Sequence, residues 1–363
     1  MGIPVNDIDY VVVGSSAEEM IALGYQPVGK DFPVFLHPQT HAEYALARTE
    51  RKTGVGYQGF HFYADPSVTL EQDLQRRDLT INAMAQRVDD TGALVGPIID
   101  PYGGQNDIEA KVFRHLSAAF AEDPLRLLRI ARFAARFPQF TIAAETQEAL
   151  QAIVQSGELL ALSPERVWQE LGRGMGSADP LRMIEVLLET GAADQFLPQQ
   201  LIAVCKNPQL KKQLASNLHL LAAKNKTDVD LVCAVLLADL SEEAIRQWPE
   251  TIRMPHATRD FAELFSALKE RVTQSGYGAV DILAWFNRAD AWRKPERAEK
   301  LIVLAGVLGF HVERIRSALV AALAIDSQAV IQSLSVAEQQ QGECIRTAID
   351  AARLQAVESV TAT

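Results

Sequence analysis

The sequence predicts an α+β protein in which a mixed N-terminal part is followed by an all-helical remainder. Over the first hundred residues, short β-branched and aromatic runs alternate with brief helical patterns. From about residue 106 onwards, apolar residues recur at helical spacing. The stretch Asp-Pro-Tyr-Gly-Gly at 100–104 separates the two parts, because proline and paired glycines interrupt both periodicities.

The N-terminal elements follow from local residue preferences. DYVVVG predicts a strand, EEMIALGY a short helix ending at Gly24, and PVFLH and AEYALAR further strands. RTERKTGVGYQG predicts a glycine-rich loop, after which FHFYA resumes a strand. TLEQDLQRR opens with a Thr69/Gln72 capping pattern and predicts a helix. NAMAQRV and ALVGPIID, joined by DDTG, predict a hairpin. We therefore expect a largely antiparallel sheet.

The remainder of the chain predicts helices that group into further domains. PLRLLRIARFAARF, PERVWQELGRGM and VDLVCAVLLADL place apolar residues three and four apart. We expect a mixed domain at 1–104 and helical domains at 105–178, 179–265 and 266–363.

Composition and charge exclude several classes of protein. A hydrophobic fraction of 48% and a charged fraction of 22% are typical of globular chains, and no apolar run approaches the ~18 residues that cross a bilayer. Three scattered cysteines without metal-ligand spacing indicate free thiols in a reducing, cytoplasmic setting. A net charge of −11 excludes a protein that coats nucleic acid non-specifically. Residues 110–140 are nevertheless locally basic, with six Lys/Arg against two Asp/Glu.

A pair of carboxylates lies at the first predicted strand. Asp7 and Asp9 are two residues apart, so on a strand their side chains point to one face. Their repulsion is offset if they share divalent cations, and Mg²⁺ binds through carboxylates together with substrate phosphates. Two such ions activate an attacking hydroxyl and stabilise a leaving pyrophosphate. The alternative is a solvated turn at a strand edge.

Two arginine-rich stretches supply complementary chemistry. In RRDLTINA, Arg76 and Arg77 offer bidentate contacts to phosphates, and the Asp and Asn of the same stretch offer partners for ribose hydroxyls. The alternative there is an exposed ion-pair cluster at a helix end. In EDPLRLLRIARF, Asp123 and Arg126 lie three apart on one helix face.

The spacing of Asp123 and Arg126 has a specific chemical use. A carboxylate that accepts from an exocyclic amine, beside a guanidinium that donates to a ring nitrogen, fits cytosine and adenine. Guanine and uracil present the opposite donor and acceptor pattern. The alternative is a surface salt bridge worth a few tenths of a kcal/mol.

Taken together, these motifs resemble the class II tRNA nucleotidyltransferases, the CCA-adding enzymes of the polymerase-β-like superfamily. The resemblance runs in order through DIDYVVVG, EYALARTERKTG, RRDLTINA, DPYGGQNDI, EDPLRLLRIARF and SPERVWQE. It implies a nucleotidyltransferase head followed by an all-helical neck, body and tRNA-binding tail. It also implies addition of C, C and A to the 3′ end of tRNA from CTP and ATP with Mg²⁺, and neither a membrane nor an obligate protein partner.

The resemblance implies roles for individual residues. It assigns the metal-binding and catalytic carboxylates, the sugar and phosphate site, the base-reading pair and two supporting arginines. The metal-binding residues are Asp7 and Asp9, and Glu43 assists them in catalysis. The nucleotide-binding residues are Arg76, Arg77, Asp78, Asn82, Asp123, Arg126, Arg129 and Arg132. Residues 100–104 resemble the hinge between head and neck, and Arg48 with the loop 49–59 resembles the segment tied to switching from C to A addition. Glu165 and Arg166 are expected to brace the neck helices.

The chain departs from the family pattern in two places. The family's Gly-Gly-x-Val-Arg-Asp segment has no counterpart before Asp7, so we expect a misplaced start or a truncation, with weak or no activity for residues 1–363. In the body, CAVLLADLSEE has Ala238 where a phosphohydrolase histidine would stand and leaves Asp239 unpartnered. We therefore expect no phosphohydrolase activity and no transition-metal site.

Two alternatives stay open at this point. A poly(A) polymerase, or an enzyme that adds only part of CCA, would use the same base-reading pair. Poly(A) relatives tend to carry a basic tail, whereas residues 338–363 are not basic. The other alternative, from a different class, is a catalytically inactive RNA-binding protein that has lost the first motif.

Overall fold

The computed structural model describes residues 8–28, 33–52, 60–89, 91–224, 228–248, 252–273 and 277–361. The chain divides into two compact units, Met1–Phe196 and Leu197–Thr363. This division does not test the four predicted domain boundaries, which stay predictions.

The first unit begins with a four-stranded sheet of order β1-β4-β3-β2. Its strands are β1 (Tyr10–Val12), β2 (Gln26–Val28), β3 (Val34–Leu36) and β4 (Glu43–Leu46). The β1–β4 pair is parallel and the other two pairs are antiparallel, which confirms a largely antiparallel sheet. Helix α1 (Ala17–Ala22) begins at a capping box between Ser16 and Glu19 and ends just before Gly24, whose φ is +87°.

The two faces of this sheet have different surroundings. On one face, the rings of Tyr10 and Tyr44 stack with centroids 4.4 Å apart, and Met20, Phe35 and Leu46 form a buried cluster beside them. Side chains alternate between faces along a strand. The residues immediately before these two tyrosines therefore point to the opposite face, away from the apolar cluster.

A hairpin follows the sheet where the sequence predicted a loop. β5 (Arg48–Lys52) pairs in an antiparallel register with β6 (Phe60–Ala64). The predicted loop over 49–59 is therefore wrong for residues 49–52, because pairing with a neighbouring strand overrides the low strand preference of charged residues. Residues 53–59, which complete the predicted loop, lie outside the described residues.

Two further N-terminal predictions are confirmed. Helix α2 (Leu70–Gln75) begins at the predicted capping box between Thr69 and Gln72. The predicted hairpin is formed by β7 (Ala85–Val88) and β8 (Leu94–Ile99).

The rest of the first unit is helical apart from one short strand pair. β9 (Val112–Phe113) and β10 (Thr141–Ile142) pair in parallel, which corrects the prediction of an all-helical neck. Two-residue strands are too short to leave a periodic signal in sequence. The helices are α3 (Gly104–Ala110), α4 (Leu125–Arg136), α5 (Ala144–Ser156), α6 (Pro164–Met175), α7 (Pro180–Thr190) and α8 (Ala193–Phe196), with α4 packed against α6 and α7.

The Asp-Pro-Tyr-Gly-Gly stretch forms the start of α3. The carboxylate of Asp100 accepts the backbone N–H groups of Gly104 at 2.7 Å and Gln105 at 2.8 Å. A Cβ atom at Gly104 would clash with the carbonyl oxygen of Thr80, so glycine permits this close approach. The packing of Gly104 against Thr80 holds the segment that contains Thr80 in place. The hinge role of residues 100–104 stays a prediction.

The second unit is helical throughout its described residues. Its helices are α9 (Gln199–Lys206), α10 (Pro208–Ala223), α11 (Val229–Leu236), α12 (Glu242–Arg246), α13 (His256–Thr273), α14 (Ala279–Arg288), α15 (Pro295–Val307), α16 (Glu313–Leu323), α17 (Ser327–Gln332), α18 (Val336–Gln339) and α19 (Gly342–Thr361). Asp239, expected to be unpartnered, forms an ion pair with Lys269, because α13 packs against α11 and brings that lysine within reach. No helix in the described ranges has the length and apolar character needed to cross a membrane.

A buried ion pair fastens the segment after α2 to α4. The carboxylate of Asp78, which is 5% exposed, accepts from the Arg129 Nε at 2.7 Å, from the Asn82 side-chain amide at 3.0 Å and from the Leu79 N–H at 2.9 Å. Burial raises the pKa of this carboxyl, but the Arg129 charge and the hydrogen bonds outweigh burial. The pKa of Asp78 therefore lies below its ordinary value of 3.8.

We predict that Asp78→Asn lowers the free energy of unfolding by about 1–3 kcal/mol at neutral pH, because a hydrogen-bonded charge is removed from a buried site. Since the folded pKa is depressed, the carboxylate contributes fully above its unfolded pKa, and the contribution is lost as the pH falls through the folded pKa. The difference between wild type and variant should be constant above about pH 5 and shrink in acid.

Urea denaturation at a series of pH values measures this difference. Glu148→Gln, which changes an exposed carboxylate on α5, is the control and should shift stability by less than about 0.5 kcal/mol. A wild-type advantage over Asp78→Asn that grows towards acid would contradict the assigned direction of the pKa.

Candidate active site

A cleft of about 630 Å³ opens in the first unit. Its walls come from the polar face of the sheet, from the C-terminal end of α2 and the residues after it, and from the start of α4. The predicted site residues that line it are Asp9, Glu43, Arg76, Arg77, Asp78, Asn82, Asp123, Arg126 and Arg129. The fold thus brings into one cavity three motifs that are widely separated in sequence.

The acidic wall of the cleft follows from the strand register. Tyr10 is paired with Tyr44 in the parallel β1–β4 ladder, and the same register places Asp9 beside Glu43. Both carboxylates are exposed to the cleft. Asp7 lies outside the described residues, so its position on the same face as Asp9 stays a prediction.

The acidic wall fits a hard cation in its donor type. Asp9 and Glu43 offer carboxylate oxygens, the ligands that Mg²⁺ prefers, and Mg²⁺ commonly takes one or two carboxylates and completes its shell with phosphates and water. Within the described ranges, no group of three or more His, Cys, Asp or Glu side chains is arranged to hold a metal. The described residues therefore supply a two-carboxylate partial site that is open to phosphate oxygens.

The basic wall is organised by two carboxylates that sequence reasoning missed. The Arg76 Nε donates to the Asp73 carboxylate at 3.0 Å, and its Nη1 donates to Glu50 at 2.7 Å. The Arg77 Nη1 donates to the backbone carbonyl of Asn82 at 3.2 Å. A signal for Asp73 was present in the sequence, because it precedes the two arginines by three and four residues, the spacing of helical ion pairs. Glu50 gave no such signal, since it lies on β5 and meets Arg76, 26 residues later, only in the folded chain.

The third wall contains the predicted base-reading pair. Arg126 is 9% exposed and donates to the carbonyl of Arg76 at 2.7 Å and to that of Ala119 at 3.2 Å. Asp123 immediately precedes the proline at the start of α4 and accepts the N–H of Leu125 at 3.1 Å. The alternative of a surface salt bridge between Asp123 and Arg126 is wrong, because the guanidinium is turned towards two backbone carbonyls.

Arg132 and Arg166 lie in places other than those predicted from the sequence. Arg132 pairs with Glu170 of α6 and packs over the ring of Phe133 at 4.3 Å, and it is not among the residues that line the cleft. Arg166, expected only to brace the neck helices, does line the cleft. Helical spacing identified the face of α4 that carries arginines, but it could not tell which of them turn inwards against α6.

Comparisons with known proteins agree with this geometry. Residues 1–114 match the Poly A polymerase head domain, and residues 139–202 match a probable RNA and SrmB-binding site of polymerase A. The structure of a Bacillus stearothermophilus CCA-adding enzyme in complex with CTP has a similar fold, with a TM-score of 0.61 at 21% identity, covering 99% of this chain and 85% of that one. A Thermotoga maritima CCA-adding enzyme complexed with tRNA gives 0.60 at 20% identity, covering 99% and 87%.

Sequence identity with another group of relatives is higher. The Multifunctional CCA protein of Burkholderia pseudomallei (strain 668) is 45% identical, over an alignment that covers 98% of this chain and 95% of the relative. Identity at this level over nearly the full length of both proteins confirms the resemblance read from the motifs. This chain belongs to the CCA-adding tRNA nucleotidyltransferase family.

Proposed function

We propose that this chain adds C, C and A to the 3′ end of tRNA, using CTP and ATP as substrates. The observation that carries the proposal is the cleft that joins two adjacent carboxylates, two arginines and the Asp123/Arg126 pair. Family membership and the similarity to the Multifunctional CCA protein support the same reaction. Three thiols without a disulfide partner are consistent with a cytoplasmic enzyme.

The basic wall would bind the incoming nucleotide. The guanidinium groups of Arg76 and Arg77 are part-buried and suited to charge-assisted hydrogen bonds with a triphosphate. Asn82 lies beside them on the cleft wall and offers its amide to the ribose. Asp123 would accept the exocyclic amine of cytosine or adenine while Arg126 donates to the ring nitrogen.

The reaction is a displacement at phosphorus. The 3′-hydroxyl of the tRNA loses its proton to water as its oxygen forms a bond to the α-phosphorus. The bond from that phosphorus to the bridging oxygen breaks, and pyrophosphate leaves with the electron pair. Asp9 and Glu43, with Asp7 as the predicted additional ligand, would hold Mg²⁺, which when bound activates the hydroxyl and neutralises phosphate charge. The protein's own contribution is mainly to hold the two reactants in line.

The decisive experiment supplies purified chain with tRNA transcripts that end just before CCA, after C, and after CC. Because weak or no activity is expected of residues 1–363, a form extended by the Gly-Gly-x-Val-Arg-Asp segment is assayed beside it. We expect CTP to extend the first two by C only, and ATP to add one A only after CC, because the base is selected by the protein. Sequencing of the extended 3′ ends measures this. A run of A on any of the transcripts would support a poly(A) polymerase. Addition of only C or only A would support an enzyme that adds part of CCA. Binding of tRNA without extension would support an inactive remnant.

We predict that Asp9→Asn reduces nucleotide addition by about a thousandfold, because it removes a ligand for the cation that stabilises the transition state. CTP binding measured without Mg²⁺ should be unchanged, since Asp9 lies on the acidic wall. Glu18→Gln, an exposed carboxylate on α1 of the same unit, is the matched control and should retain full activity. An Asp9→Asn enzyme that works within about tenfold of wild type would argue against the acidic wall as the catalytic centre.

We predict that Arg126→Lys lowers the preference for CTP over UTP by about 10- to 100-fold, because lysine cannot reproduce the planar donor fork. Arg136→Lys is the matched control on the same helix, since Arg136 is exposed and lies outside the cleft lining. The ratio of kcat/KM for the two nucleotides measures the effect. Equal ratios in wild type and Arg126→Lys would show that this residue does not read the base.

A further inference from the structure

A buried carboxylate, that of Asp73, forms part of the basic wall of the cleft. Asp73, on α2, is 1% exposed. A negative charge at this place does not favour binding of a triphosphate, and burial of a carboxylate is costly unless it is paired and hydrogen-bonded. The roles already assigned to the cleft therefore do not explain why a buried carboxylate lies beside these arginines.

The contacts of Asp73 come from two segments of the chain, the start of β5 and the residues that follow α2. Its Oδ1 accepts from the Nε of Arg76 at 3.0 Å and from the backbone N–H of Arg48 at 3.2 Å, and the Nη2 of Arg76 is 2.9 Å away. Its Oδ2 is 3.5 Å from the Nη2 of Arg77. One carboxylate thus contacts both proposed phosphate-binding arginines and the first residue of β5.

The contacts of Arg76 show how its direction is fixed. Asp73 engages the Nε and Nη2 edge of the guanidinium, and Glu50 engages Nη1 at 2.7 Å. Because the group is planar with donors in a fixed fork, two carboxylates on different edges define its orientation. Buried ion pairs add little to stability compared with apolar packing, so orientation is the property that such a pair provides.

We propose that Asp73 is a positioning residue, which orients Arg76 and Arg77 for the triphosphate and couples them to the hairpin of β5 and β6. This inference rests on the proposed function, and it adds a residue that acts through the arginines without touching the nucleotide. Since the triphosphate is common to CTP and ATP, Asp73 affects the binding of both equally. Selection of the base, which belongs to Asp123 and Arg126, is independent of it.

The test compares Asp73→Asn with Asp107→Asn in the nucleotide-addition assay. Asp107 is a similarly buried carboxylate in the same unit, 8% exposed and ion-paired with Arg114, and it is not among the cleft residues. We expect Asp73→Asn to raise KM for CTP and for ATP by the same factor, about 10- to 100-fold. The preference for CTP over UTP should stay at the wild-type value. Asp107→Asn should leave both KM values unchanged.

A double-mutant cycle separates positioning from general stability. If Asp73 acts through Arg76, the effect of Asp73→Asn on KM should shrink several-fold when Arg76→Lys is already present. The inference would be overturned if the effects of Asp73→Asn and Arg76→Lys on KM simply multiply in the double mutant. It would also be overturned if Asp73→Asn raises KM no more than Asp107→Asn does. If Asp73→Asn does not fold, Glu50→Gln removes the other carboxylate partner of Arg76. It should also raise both KM values, and unchanged values would equally overturn the inference.

The outcomes for this inference and for the proposed function are distinguishable. If the wild-type chain adds nucleotides to tRNA and the variants have an unaltered KM, only the role of Asp73 is contradicted. Wild-type chain that binds tRNA but adds nothing defeats the proposed function, and with it the inference.

Discussion

The ion pair between Asp78 and Arg129 holds together the two segments on which the cleft depends. Asp78 follows the arginines after α2, and Arg129 lies one turn beyond Arg126 on α4, with the Arg129 Nε 2.7 Å from the Asp78 carboxylate. A second contact reinforces it, because Arg126 donates to the carbonyl of Arg76. Both contacts hold the basic wall against the start of α4. The depressed pKa of Asp78 keeps the carboxylate charged across the neutral range.

The charges of the cleft fall into two groups according to their partners. Asp73, Asp78 and Glu50 are bound to arginines, so their charge is balanced within the protein. Asp9, Glu43 and Asp123 line the same cavity and, across the described ranges, form no ion pair. Under the proposed function, the first group shapes the site. The second group has its oxygens available for a cation or for a base amine.

The parts of the site that sequence predicted are those fixed by short-range geometry. The β-branched run predicted the strand that follows Asp9, and the capping box located the start of α2 before the arginines. What sequence missed depends on contacts between distant segments. β5 is a strand because β6 pairs with it, and Glu50 reaches the cleft because that hairpin carries it to Arg76. Likewise, Lys269 meets Asp239 only because α11 and α13 pack together.

Under the proposed function, the hydrogen bond from Arg126 to the carbonyl of Arg76 would connect base selection to phosphate binding. In the proposed function, Arg126 donates to the ring nitrogen of the base while part of its fork remains on the backbone of a residue that binds the triphosphate. A nucleotide whose base leaves Arg126 without an acceptor would disturb that shared backbone contact. The free-energy cost of an unpaired donor would then weaken the binding of the base and of the phosphates together. If Arg126 reads the base as proposed, this arrangement would let a site without a nucleic-acid template reject the wrong base before its phosphate is aligned for attack.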